Sequence, residues 1–82
     1  MNDNRLPQYS NVLIDEGFKL KSRINPNFLT FSKVYNFCSC SVTLAHLRNG
    51  ETIKQFMTIG SKNACSEIKD RLDVVDMELN GE

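Results

Sequence analysis

The stretch SVTLAHLRNGETIKQFMTI, residues 41–59, decides the fold. Two runs of alternating apolar and polar residues flank Asn49-Gly50. Both residues of that dipeptide tolerate positive φ, which favours a two-residue type I′ turn. With those two as the loop, Arg48 opposes Glu51 and the rest of the register follows. One side of the ribbon pairs Cys40 with Ile59, Val42 with Met57, Leu44 with Gln55 and His46 with Ile53. The other pairs Ser41 with Thr58, Thr43 with Phe56 and Ala45 with Lys54. The first side is mostly apolar and the second mostly polar, as a half-buried antiparallel pair requires.

Downstream the period changes. Gly60 ends the strand and Ser61 is a good helix N-cap. Ala64, Cys65, Ile68, Leu72, Val75 and Leu79 then recur at helical spacing and form one stripe, which Asn80-Gly81 terminates. Upstream, Phe18, Leu20 and Ile24 alternate with Lys19, Lys21 and Arg23, which reads as a strand. Asn25-Pro26-Asn27 reads as a turn. A strand begins at Phe28 and must kink or break before Phe37, because apolar parity switches around residues 33–36. Residues 10–16 admit two readings: a strand joined to the next by Asp15-Glu16-Gly17, or a short helix capped by Ser10 and ended by Gly17. The strand is the preferred one.

The expected fold is therefore α+β, an antiparallel meander of four to five strands with one C-terminal helix packed on one face. Residues 1–8 are expected to be a flexible arm and residues 9–82 a single small domain. The hairpin and helix over residues 37–79 resemble the second half of a double-stranded-RNA-binding domain. They also resemble the three-strand-plus-helix arm-binding domain of phage integrases. The likeness covers about half of the chain and is mainly topological. The run GSKNACSEIKDRL carries the Ser-Lys helix start of the RNA-binding family, but of its phosphate-gripping lysine cluster only Lys62 is present.

A chain of 82 residues buries only about 60–65% of its unfolded surface, so its core is modest. Its composition is that of an ordinary globular domain, and no apolar run approaches the roughly 20 residues of a membrane span. The polar N-terminus MNDNRLPQYS lacks the apolar core of a signal peptide, so a cytoplasmic location is expected. Net charge is zero, yet it is unevenly spread. Residues 17–62 carry seven Lys/Arg against Glu51, and residues 63–82 carry two against six acids. A basic middle and an acidic end offer two faces to partners.

Cys38 and Cys40 lie two apart on a strand, hence on one side of it, with Cys65 as an expected neighbour and His46 too far along the strand to join them. C-x-C with one further cysteine is the wrong number and spacing for a structural zinc site, so neither metal nor cofactor is expected. An odd cysteine count fits a reducing compartment, and free thiols are common core residues. No nucleophile, phosphate loop or paired carboxylate accompanies His46, so the chain reads as non-enzymatic.

The expected function is binding of another macromolecule, a protein in the leading reading, with no membrane role. Two surfaces are candidates. On the outer side of the helix, Val74 and Met77 stand among Glu67, Asp70, Asp73 and Glu78, a setting for a basic partner or a second copy of the chain. On the polar side of the sheet, Phe37 and Phe56 are expected among Lys19, Lys21, Arg23 and Lys54. Aromatics among cations suit a nucleic-acid stacking platform, the alternative function. Small bipolar domains of this type include phage and mobile-element inhibitors of host machinery such as anti-CRISPR proteins, which act by occluding a partner's site.

Overall fold

The computed structural model describes residues 4–61 and 63–81. The elements run α1 (Leu6–Asp15), β1 (Lys19–Asn25), β2 (Phe28–Val34), β3 (Ser39–His46), β4 (Thr52–Ile59) and α2 (Ser66–Asn80). The strands form one antiparallel sheet in the order β1-β2-β3-β4. The fold is thus an α+β meander of four strands with a C-terminal helix, and it carries a second helix in place of the preferred first strand.

That second helix corrects the strand reading of residues 10–16 and narrows the expected arm. Leu6, Tyr9 and Leu13, spaced three and four apart, are all buried on one side of α1. Pro7 in the first turn has a preset φ and lacks only an N–H that the first turn leaves unused anyway. Helical structure therefore reaches back to residue 6, while residues 1–3 lie outside the described residues. The C-terminus is a Schellman motif. Gly17, at φ 94°, donates to Ile14, and Phe18 donates to Leu13 at 2.9 Å. The side chains of Leu13 and Phe18 are both buried, which is the apolar contact that goes with this motif. Lys33 Nζ on β2 donates to the Glu16 carbonyl at 2.6 Å, satisfying an acceptor at the helix end.

The hairpin exists, but its register is one residue away from the expected one. Leu47 N–H donates to the Glu51 carbonyl, and Gly50 N–H to the Leu47 carbonyl. The loop is therefore Arg48-Asn49-Gly50. Among the described residues, no non-glycine residue has positive φ, so Asn49 does not take the conformation that a type I′ turn needs; Gly50 alone does, at 96°. This is the three-residue loop with a glycine closing a type I turn. Cys40 consequently faces Thr58, Val42 faces Phe56, Leu44 faces Lys54 and His46 faces Thr52. Because side chains alternate, a shift of one exchanges the two sides of β4 completely.

The parity change near residues 33–36 is a chain reversal. β2 ends at Val34, and Tyr35 N–H donates to the Cys38 carbonyl at 2.7 Å before β3 begins. Leu29 and Phe31 on β2 are opposite Leu44 and Val42, and all four are buried. With Cys40 they join Leu6, Tyr9 and Leu13 of α1, and Cys65, Ile68 and Leu72 of the C-terminal region, in one core cluster. Of the expected stripe, Cys65, Ile68 and Leu72 are therefore core and Ala64 and Val75 pack against it, while Leu79 is only partly buried and outside the cluster. Ser61 does not cap α2 as expected. Its Oγ accepts from Asn63 N–H in a preceding turn, and the helix starts five residues later with Cys65 at the N-cap.

Candidate functional site

The one-residue shift decides what the open side of the sheet looks like. Rows of cross-strand partners share a side. The rows that contain no residue of the core cluster are Asn25-Phe28-Ala45-Ile53, Ser22-Thr30-Thr43-Gln55, Lys19-Ser32-Ser41-Met57 and Val34-Ser39-Ile59, of which Ala45 alone is buried. Their middle is hydroxylated, with Thr30 and Thr43 hydrogen bonded through their side chains at 3.3 Å. Their ends are aliphatic: Val34 is 77% exposed, Ile59 64%, Met57 63% and Ile53 43%. None of these four belongs to the core cluster.

The basic aromatic face expected from the sequence is dispersed. Phe56 is on the other side of β4 and packs against the core, with Lys69 Nζ 5.5 Å from its ring centroid. Lys54 stands on the same side as Phe56 and is ion-paired with Asp76 and, at 4.0 Å, with Asp73. Lys19 does share the open side, opposite Ser32. Arg23 is opposite buried Leu29, so it lies in a row of the covered side, and Lys21 sits where the register of β1 shifts. Phe37 projects from the loop before β3 and is 96% exposed. Lys62, the single match to the RNA-binding lysine cluster, lies outside the described residues. Two bulges in β1 and a three-residue loop in place of a two-residue one account for the difference.

A polar cluster that sequence reading missed lies where α1, β4 and α2 meet. Asp76 accepts hydrogen bonds from Tyr9 Oη, from Lys54 Nζ and, at 2.8 Å, from Arg5 Nη1. Burial opposes the charge on Asp76, but these three donors outweigh it and hold the carboxyl below its usual range. Burial, reinforced by the Asp76 carboxylate, pushes the Tyr9 phenol up to about 12. Arg5 also donates to Asn80 Oδ1, so the residue before α1 is tied to the end of α2. In the sequence Asp76 is one acid among six in the acidic stretch. Only its position on the covered flank of α2 sets it apart.

The outer residues of α2 are where they were expected. Glu67, Asp70, Asp73, Val74, Met77 and Glu78 are all exposed, Met77 at 71% and Val74 at 50%. Asp73 is turned partly toward Lys54. On the opposite flank, Arg71 pairs with Glu16 and Asp15 and fastens α2 to the end of α1.

The cysteines are joined in a way that corrects the free-thiol reading. Cys40 and Cys65 form a disulfide with Cα atoms 5.4 Å apart, a normal spacing for the bond. Their expected proximity holds, and the bond follows from it. Cys38 is free and lines a cleft of about 220 Å³ with Tyr35, Ser61, Asn63, Ala64 and Glu67. His46 is not near them; its Nδ1 is hydrogen bonded to Thr52 Oγ1 at 2.9 Å. Among the described residues, no group of three or more His, Cys, Asp or Glu is placed to hold a metal ion, and no helix is long and apolar enough to cross a membrane. Comparison with known proteins yields no match to a family model, a curated protein or a solved structure.

Proposed function

We propose that this protein works by binding another protein, and that the open side of the sheet is its contact surface. The observation that carries the reading is the exchange of sides on β4. It removes Lys54 and Phe56 from the open side and places Ile53, Met57 and Ile59 there instead. Exposed aliphatic residues around a hydroxyl-rich centre suit a protein contact, where apolar groups are desolvated and neutral hydrogen bonds supply specificity. A nucleic-acid platform needs aromatics and cations together on one open surface, and Lys54 and Phe56 are on the covered side of the sheet. In this reading the protein acts by occlusion, as an inhibitor does, without chemistry of its own.

The acidic outer side of α2 supports a second reading. Val74 and Met77 within four acids offer an apolar centre and a charged rim to a basic partner. Affinity capture with purified protein separates the two. Val34→Asp combined with Ile59→Asp is expected to abolish capture of the partner, whereas Asp70→Lys combined with Asp73→Lys leaves it intact. The opposite pattern assigns the contact to α2. Capture that survives both pairs of substitutions refutes both. A mobility shift with DNA or RNA that weakens steeply with salt would replace the protein reading by the nucleic-acid one.

A further inference from the structure

The two edges of the sheet are built differently. Strand β1 loses register twice, between Leu20 and Ser22 and between Arg23 and Asn25, and it carries Lys19, Lys21 and Arg23. Bulges and cations are the usual devices that keep an edge strand from pairing with another chain. Strand β4 has neither bulges nor a run of cations. It pairs with β3 at eight successive positions with no shift, and it contains no proline, no glycine and one charge, Lys54. We propose that two copies of this chain pair antiparallel through β4, about a two-fold axis at Phe56, and join their sheets into one of eight strands.

The backbone pattern is compatible with that axis. Leu47 N–H donates to Glu51, and His46 N–H donates the other way, to the Asn27 carbonyl. In an antiparallel ladder hydrogen-bonded and non-bonded pairs alternate. The peptide groups of Ile53, Gln55 and Met57 therefore serve β3, and those of Lys54, Phe56 and Thr58 face outward. A two-fold axis at Phe56 sets Phe56 against its own copy and Lys54 against Thr58 of the copy. That arrangement permits roughly six main-chain hydrogen bonds among the outward-facing groups.

The side chains agree with the same axis. An interface between identical chains must be complementary to itself. Here the lysine of each strand is opposite a threonine, so no like charges meet. On the open side Ile53 is opposite Ile59 of the copy, and Gln55 is opposite Met57. Three aliphatic side chains per chain that are 43%, 63% and 64% exposed thus close over the axis. On the covered side the two Phe56 rings meet beneath Lys69. The pairing uses the edge of β4, not the open side as a whole, and it holds whether or not another protein binds there.

The oligomeric state tests it. Light scattering at high micromolar concentration is expected to give twice the chain mass of 9.4 kDa. Thr58→Pro removes an outward-facing N–H that β3 does not use, so it is expected to halve the mass while leaving the circular dichroism spectrum unchanged. Gln55→Lys combined with Met57→Lys places cations opposite one another across the axis and is expected to do the same without touching the backbone. Hydrogen exchange at the amides of Lys54, Phe56 and Thr58 should slow as concentration rises. A single-chain mass at every concentration overturns the proposal. So does a dimer that keeps its mass in both variants, which would lie elsewhere on the surface. Monomers whose capture of another protein is lost in Thr58→Pro also overturn it, in favour of a foreign strand on the same edge.

Discussion

Asp76 holds three donors at once, and its neighbours come from every part of the chain. Arg5 lies before α1, Tyr9 within it, and Lys54 on the edge strand. With its side chain 23% exposed, the carboxylate is partly shielded from water, which strengthens these contacts. Asp76→Asn is expected to lower stability by about 2 kcal/mol, the order found for hydrogen bonds to charged groups. The linkage has a definite sign. The Asp76 carboxyl is depressed in the folded state, so its contribution is complete above the ordinary value of 3.8 and is lost as pH falls through the lower folded value. Tyr9 is raised, so its contribution is complete below 10.0 and is lost as pH rises through about 12. Thermal melts against pH should show a shallower acid limb for Asp76→Asn and a shallower alkaline limb for Tyr9→Phe. Unchanged limbs in both variants would show that the cluster contributes nothing to stability.

At the scale of an element, the hairpin is the instructive case. Its existence was legible from alternation and from Asn49-Gly50, but its register was not. A two-residue and a three-residue loop use the same dipeptide, and they differ in whether Asn49 or only Gly50 has positive φ. Both registers also leave β3 buried in the same way, so β3 could not arbitrate between them. Strand β4 decides. Phe56→Ala is expected to cost about 2 kcal/mol, because a half-buried ring leaves the core. Met57→Ala is expected to stay within about 0.5 kcal/mol, because the Met57 side chain lies on the open side of the sheet and is largely exposed. Urea titrations of the two variants check this, and the reverse order would restore the two-residue loop. Helix α1 was misjudged for a different reason. Val12-Leu13-Ile14 has the composition of a strand, but the stripe of Leu6, Tyr9 and Leu13 starts farther upstream, within the residues expected to form the arm.

For the whole molecule, the small core is supplemented by a covalent bond. The disulfide joins β3 to the turn before α2 across a separation of 25 residues. Closing a loop of that length restricts the unfolded chain by about 3 kcal/mol in the chain-entropy account. Reduction, or Cys40→Ala combined with Cys65→Ala, should lower the free energy of unfolding by about that amount, as read from urea midpoints with and without reductant. Cys38→Ser keeps that bond, so its urea midpoint should fall on reduction by the same amount as that of the unsubstituted chain. The uneven charge also gains a structural meaning at this scale. Lys54 of the basic middle is neutralised by Asp76 and Asp73 of the acidic end, and Arg71 by Glu16 and Asp15. Lys54 thus joins the basic middle to the acidic end, while Lys19, Lys21 and Arg23 on β1 and the acids on the outer side of α2 remain exposed.

The sequence by itself determined the meander, the C-terminal helix with its buried stripe, and the closeness of Cys40 to Cys65. These follow from the spacing of apolar residues, which is local information. The tertiary structure alone decided which side of β4 is covered, which acid among six becomes the hub, and that the chain before residue 9 joins the core. Each of these depends on a contact between segments far apart in the chain. A one-residue change in loop length costs little locally, and it is settled only when Phe56, not Met57, is packed against the core.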